Sequence, residues 1–132
     1  MRESEAYLAQ IVDGSSVATL VIDAGHRVTH WNRACEVMSG MLARDVIGSD
    51  GQWKAFYPSK RPIMADLVLD DANENAVDRL YHGRFRPSLR IPGGYEAEDF
   101  FPHFGESGRW LFFTAAPLRN SQGEVVGALE TL

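Results

Sequence analysis

Near the start of the chain, Tyr7, Leu8, Ile11 and Val12 recur at spacings of three and four, separated by Glu3, Glu5 and Gln10. That period predicts a short amphipathic helix over Ser4–Val12. Asp13-Gly14-Ser15-Ser16 interrupts it, and the pattern changes to a β-branched, mostly apolar run at Val17–Asp23. With the turn Ala24-Gly25-His26 and the alternating run Arg27–Trp31, this predicts a β-hairpin. Asn32 follows at once, and its carbonyl suits the free amides of a helix through Arg33–Met38 that stops at Gly40. Ala43–Gly48 reads as one helical turn closed by glycine, and Ser49-Asp50-Gly51 as a loop. Trp53, Phe56 and Tyr57 then cluster before Pro58.

Arg61-Pro62 is expected to open a helix with proline in its first turn, where the missing amide costs nothing. Ile63, Met64, Leu67 and Val68 form its apolar face, and it ends near Asp70-Asp71. Another short helix runs from Asn73 through Val77 and Leu80 to Tyr81, with Gly83 as its stop. Between Arg84 and Phe104, Pro87, Pro92, Gly93, Gly94 and Pro102 break every period, so a strand is expected there without a fixed position. Trp110–Leu118 is a strand, Asn120–Gly123 a turn and Glu124–Leu132 a strand paired back on the first. The sum is an α+β fold: an antiparallel sheet of about five strands with short helices on one face.

Composition narrows the function more than the fold. Apolar residues make up 45% of the chain and charged residues 23%, the profile of a folded globular domain. A formal net charge of −5 with scattered basic residues argues against nucleic acid as a partner. Nothing approaches the roughly 18 consecutive apolar residues of a spanning helix, and the N-terminus lacks a signal-peptide core. A single cysteine, Cys35, excludes an internal disulfide. A cytoplasmic domain without membrane contact is therefore expected.

Two segments carry a family likeness: VATLVIDAGHRVTHWNRACEVMSG, followed by Val46-Ile47-Gly48, and AAPLRNSQGEVVGALETL. The first resembles the start of a PAS core and the second its PAC motif, in the right order and separation. The stretch QWKAFYPSKRPIMADLVLDD resembles bacterial PAS domains attached to diguanylate cyclases or histidine kinases. The resemblance implies a sensory module, with residues 1–14 as an N-terminal dimerisation helix and 15–132 as the PAS core with its PAC strands. It also implies an output domain that follows a D-x-T signature, which the sequence does not reach at Glu130-Thr131-Leu132.

The cysteine-bearing N-C-R-F-L-Q segment of photoreactive flavin relatives has no counterpart, and Cys35 lies on a different helix. Among His26, His30, His82 and His103, which have no metal-ligand spacing, only His82 sits where haem-binding relatives place a ligand. Its other reading is a helix-terminal histidine favoured by the dipole. No cofactor and no metal are expected. No nucleophile motif or phosphate loop is present, so no catalytic residue is assigned.

A ligand pocket is expected where Trp53, Phe56, Tyr57, Arg61, Met64 and Leu67 meet the sheet. Arg61 offers a forked contact to a small anion or planar metabolite, or else pairs with Asp66 while the aromatics plug the core. Alternation places Leu111, Phe113 and Ala115 on one face of their strand, which the resemblance turns toward the cavity, with Leu129 and Gly127 beside them. Trp110, Phe112 and Thr114 take the other face. Tyr7, Leu8 and Ile11 are expected to cover Phe112, in the same chain or in a second copy, giving a homodimer. The competing function is a ligand-free dimerisation and protein-interaction module.

Overall fold

The computed structural model describes residues 3–132, so the first two residues of the predicted N-terminal segment lie outside the described residues. Helix α1 (Glu3–Asp13) leads into the hairpin of β1 (Thr19–Asp23) and β2 (Val28–Trp31). Then come α2 (Arg33–Ser39), α3 (Ala43–Val46), a 3-10 turn at Gly51–Ala55, α4 (Met64–Leu69) and α5 (Glu74–Tyr81). The chain finishes with β3 (Phe85–Pro87), β4 (Tyr95–Phe101), β5 (Arg109–Arg119) and β6 (Val125–Thr131).

The strands form one antiparallel 6-stranded sheet in the order β2-β1-β6-β5-β4-β3. The first and last strands of the chain thus lie side by side within it, away from both edges. The strand beyond the expected five arises between Arg84 and Phe104, where β3 and β4 pair with each other. Proline was misleading there because Pro87 closes an edge strand, the place in a sheet where a missing amide is tolerated.

Asn32 caps α2 as expected, with Oδ1 accepting from the Cys35 amide at 3.0 Å. The same oxygen accepts from the Thr19 amide, and Nδ2 donates to the carbonyls of Val12 and Val17. One buried side chain therefore ties the end of α1, the entry to β1 and the start of α2 together.

The start of α4 differs from the expectation. Ile63, not Arg61, is its N-cap, so Pro62 precedes the helix, and Asp66 Oδ2 reaches back to accept from the Ile63 amide at 2.9 Å. At the end of α5 the left-handed cap is His82 (φ 52°), with Gly83 (φ 77°) after it, so two successive residues turn the chain into β3. The inner sheet face and the helices enclose a core that includes Leu20, Ile22, Trp31, Phe56, Met64, Val77, Tyr81, Phe101 and Phe113. No helix among the described residues is long and apolar enough to cross a membrane.

Candidate functional site

The sequence placed one pocket between helices and sheet; the structure divides its residues between a packed interior and an open cleft. Phe56, Met64, Leu67, Phe113 and Ala115 are all buried in the core. Phe56 lies 5.9 Å from Phe101 and 6.1 Å from Phe104, while Phe113 lies 5.6 Å from Tyr81 and 6.1 Å from Phe101, ring centroid to centroid. These tilted and edge-on rings fill the space beneath the helices. Leu111 is half-buried against the rim of that cluster.

Leu129 and Gly127 are corrected. β5 and β6 pair Ala115 with Glu130 and Ala116 with Leu129, so Glu130 and Ala128 face the core while Leu129 and Gly127 turn to the other side. Hydrophobic alternation favoured leucine over glutamate for the interior, but the pairing register sets the face. Gly127 also has no room for a side chain, since a Cβ would lie against the Ile22 carbonyl oxygen at 2.5 Å.

Glu130 is 2% exposed, and its Oε1 accepts from the Ala65 amide in the first turn of α4 at 2.7 Å. Burial, with the nearby Asp66 charge adding, pushes its carboxyl up to about 8, against the amide bond and the Arg61 charge that favour ionisation. At neutral pH it is mostly the protonated acid. Arg61 stacks its guanidinium 3.7 Å from the centre of the Tyr57 ring and 5.0 Å from that of Tyr81. The two tyrosine hydroxyls are 3.4 Å apart, and burial raises both phenols, Tyr57 to about 12. Arg61 Nε donates to the Pro62 carbonyl, but its Nη2 is buried with no acceptor among the described residues.

Arg61 also lines a cleft of about 450 Å³ with Gly25, His26, Asp50, Gln52, Trp53, Lys60, Pro62, Asp66 and Asp70. Here the β1–β2 turn faces α4. His26 Nδ1 lies 2.7 Å from Asp66 and Nε2 2.8 Å from Asp70. A ring that donates from both nitrogens is the imidazolium. Burial lowers its pKa, yet the bonds to Asp66 and Asp70 outweigh that and raise it. Gln52 Nε2 bridges the His26 carbonyl and Asp66, leaving Gln52 Oε1 buried and unpartnered. Arg61 does not pair with Asp66, whose oxygens serve His26, Gln52 and Ile63.

His82 is exposed at the end of α5. Cys35 is buried, and burial pushes its thiol up to about 12, an unreactive state at neutral pH. Tyr7 and Ile11 are exposed and Leu8 half-buried. Because α1 packs beside β2, Phe112 stays 57% and Trp110 60% exposed, which corrects the expectation that α1 covers Phe112 within the chain. Among the described residues no group of three or more His, Cys, Asp or Glu is arranged to hold a metal ion. Tyr81, Glu130, His26 and Gln52 were not picked out as site residues from the sequence, where His26 was weighed only as a metal ligand and set aside. For Glu130 the one available signal was an acid inside an otherwise apolar strand.

No curated protein matches the sequence. Among solved structures, the chain is similar to the PAS domain of Bordetella pertussis BvgS, with a TM-score of 0.60 and 16% identity over 98% of this chain and 83% of that one. It is similar to a Rhodobacter sphaeroides LOV protein, with a TM-score of 0.61 and 12% identity over 99% of this chain and 66% of that one. A PAS domain from Colwellia psychrerythraea gives a TM-score of 0.54 and 15% identity over 98% of this chain and 94% of that one. Identities this low speak for the fold alone, but a family model described as the PAS fold matches residues 6–132, and the chain belongs to that family.

Proposed function

We propose that this domain is a sensory module in which a small molecule, held where the cleft meets the helix–sheet interior, changes the packing of α4 on the sheet. A covalently linked output domain, a diguanylate cyclase or a histidine kinase, reads the change. The observation that carries the reading is the position of α4. On one side it walls the cleft through Asp66 and Asp70; on the other it rests on the last strand through the Ala65–Glu130 hydrogen bond. A ligand that binds one arrangement of α4 better than another shifts β6 with it.

The test is native mass spectrometry of protein purified from cells, with a thermal-shift screen across carboxylates, amino acids, nucleobases and neutral heterocycles. A retained or stabilising compound, whose effect is lost when the cleft is blocked by Gly25→Trp, supports the reading. No shift from any class removes it.

The exposed pair Trp110 and Phe112 favours a second reading, a ligand-free homodimerisation module in which the outer sheet face and the Tyr7, Leu8 and Ile11 face of α1 meet a second copy. Light scattering decides it: a concentration-dependent dimer dispersed by Phe112→Glu supports this reading, and a monomer at high concentration ends it.

A further inference from the structure

We infer that the group this site recognises is a carboxylate, bound by the Arg61 guanidinium where it lines the cleft, with the buried Tyr57, Tyr81 and Glu130 as the neighbours that position and tune it; this rests on the small-molecule reading above. The inference comes from the hydrogen-bond inventory. Arg61 Nη2 is a buried donor without an acceptor. The tyrosine pair shares one hydrogen bond, so it keeps one hydroxyl hydrogen to give. Glu130 accepts from Ala65 through one oxygen, and as a neutral acid it offers Arg61 no counter-charge.

The carboxylates around them are already engaged. Asp66 takes the His26, Gln52 and Ile63 hydrogens, Asp70 takes the other His26 nitrogen, and Asp50 lies 3.6 Å from Lys60. Arg61 has no acidic partner within ion-pair distance among the described residues. Donors left over in a buried place call for an acceptor-rich anion, and a carboxylate offers two oxygens to a guanidinium fork. The Tyr57 and Tyr81 rings, with centres 3.7 Å and 5.0 Å from the guanidinium carbon, restrict the fork through cation–π contact. Gln52 Oε1, the unmatched acceptor of the same cleft, suits a hydroxyl or amino substituent on the ligand. A volume of about 450 Å³ admits a small metabolite.

Isothermal titration distinguishes the possibilities, with lactate, alanine and benzoate each set against its primary amide: lactamide, alaninamide and benzamide. The inference expects at least one carboxylate to bind and its amide not to. Arg61→Met should weaken that carboxylate by roughly tenfold to a hundredfold, with Arg61→Lys in between because it keeps charge without the fork. Circular dichroism and the unfolding midpoint confirm that both variants are folded.

The affinity should also fall as pH rises through the value of about 8 for Glu130, since the ionised acid repels the ligand and competes for the Arg61 charge. That dependence should shrink in Glu130→Gln to the part supplied by His26, whose imidazolium lines the same cleft and loses its charge as pH rises through its own raised value. The groups coupled to Glu130 are Asp66, Arg61, Tyr57, Tyr81 and Cys35, of which neither the tyrosines nor the thiol is charged at these pH values. Equal binding of acid and amide, or an Arg61→Met affinity within about twofold of the parent, overturns the carboxylate inference while leaving a sensor of another ligand class. Binding by no compound of any class, here or in the wider screen, overturns both.

Discussion

The aromatic interior and the polar seam along α4 lie against each other but are built on opposite terms. In the interior, Phe56, Phe101, Phe104 and Phe113 satisfy one another through contact, and none needs a specific partner atom. In the seam, His26, Gln52, Arg61, Asp66 and Glu130 each depend on named partners, and two atoms, Gln52 Oε1 and Arg61 Nη2, have none. The interior therefore sets stability, whereas the seam is where the proposed ligand would act. A packed core is held by contact alone; a polar seam with unmet groups carries the cost of each missing partner.

The largest effect tests the division directly. Phe113→Ala should cost about 3–5 kcal/mol in urea denaturation, because it empties a fully buried site between Tyr81 and Phe101. Arg61→Met should change stability by less than about 1 kcal/mol, since the lost ring stacking is offset by removal of an unmatched buried donor. If both substitutions cost several kcal/mol, Arg61 is a strut of the core and the two regions are not distinct.

The same division explains how far the sequence could be read. The interior was legible largely through local pattern: alternation in β5 put Phe113 and Ala115 on one face and Trp110 and Phe112 on the other, and the family resemblance turned the first face inward, as the structure has it. Asn32 was legible because its cap lies three residues away. The seam was not, because its bonds join residues 40, 44 and 65 positions apart, as in His26–Asp66, His26–Asp70 and Ala65–Glu130. No periodicity encodes such distances. In β6 the local pattern misled outright, since only the pairing with Ala115 turns Glu130 inward and Leu129 away. The Arg84–Phe104 stretch failed for a third reason: its proline ends an edge strand, where propensity and structure agree only once the edge is known.

Glu130 supplies the next effect and the first with a sign in pH. Its folded-state value of about 8 lies above that of an exposed carboxyl, because burial penalises the charge. Its contribution is complete below the unfolded value near 4.3, and it is lost as pH rises from there to about 8. Glu130→Gln keeps an oxygen for the Ala65 amide and cannot ionise. The variant should therefore gain on the parent progressively between those limits, by on the order of 2–4 kcal/mol at the upper end, measured as unfolding free energy against pH. Parallel curves would place Glu130 in contact with solvent and remove it from the buried end of the seam.

The smallest effect has the opposite practical use, because it reports the mouth of the cleft and not its depth. His26 also has a raised folded-state value: partial burial lowers it, but the bonds to Asp66 and Asp70 win. Its stabilisation is present below the ordinary histidine value near 6.5 and disappears as pH climbs through the raised one. The ring is one-third exposed and Asp70 more so, so water and salt screen the pair, and the contribution stays below about 1 kcal/mol. Asparagine tolerates the left-handed backbone that His26 adopts at φ 64°, so His26→Asn isolates the charge from the turn. Its unfolding midpoint should fall below the parent's at pH 5.5, converge with it by pH 8, and lose most of the difference in about 1 M salt. A deficit that persists at pH 8 means that the β1–β2 turn is held on α4 by shape, making the mouth part of the rigid interior after all.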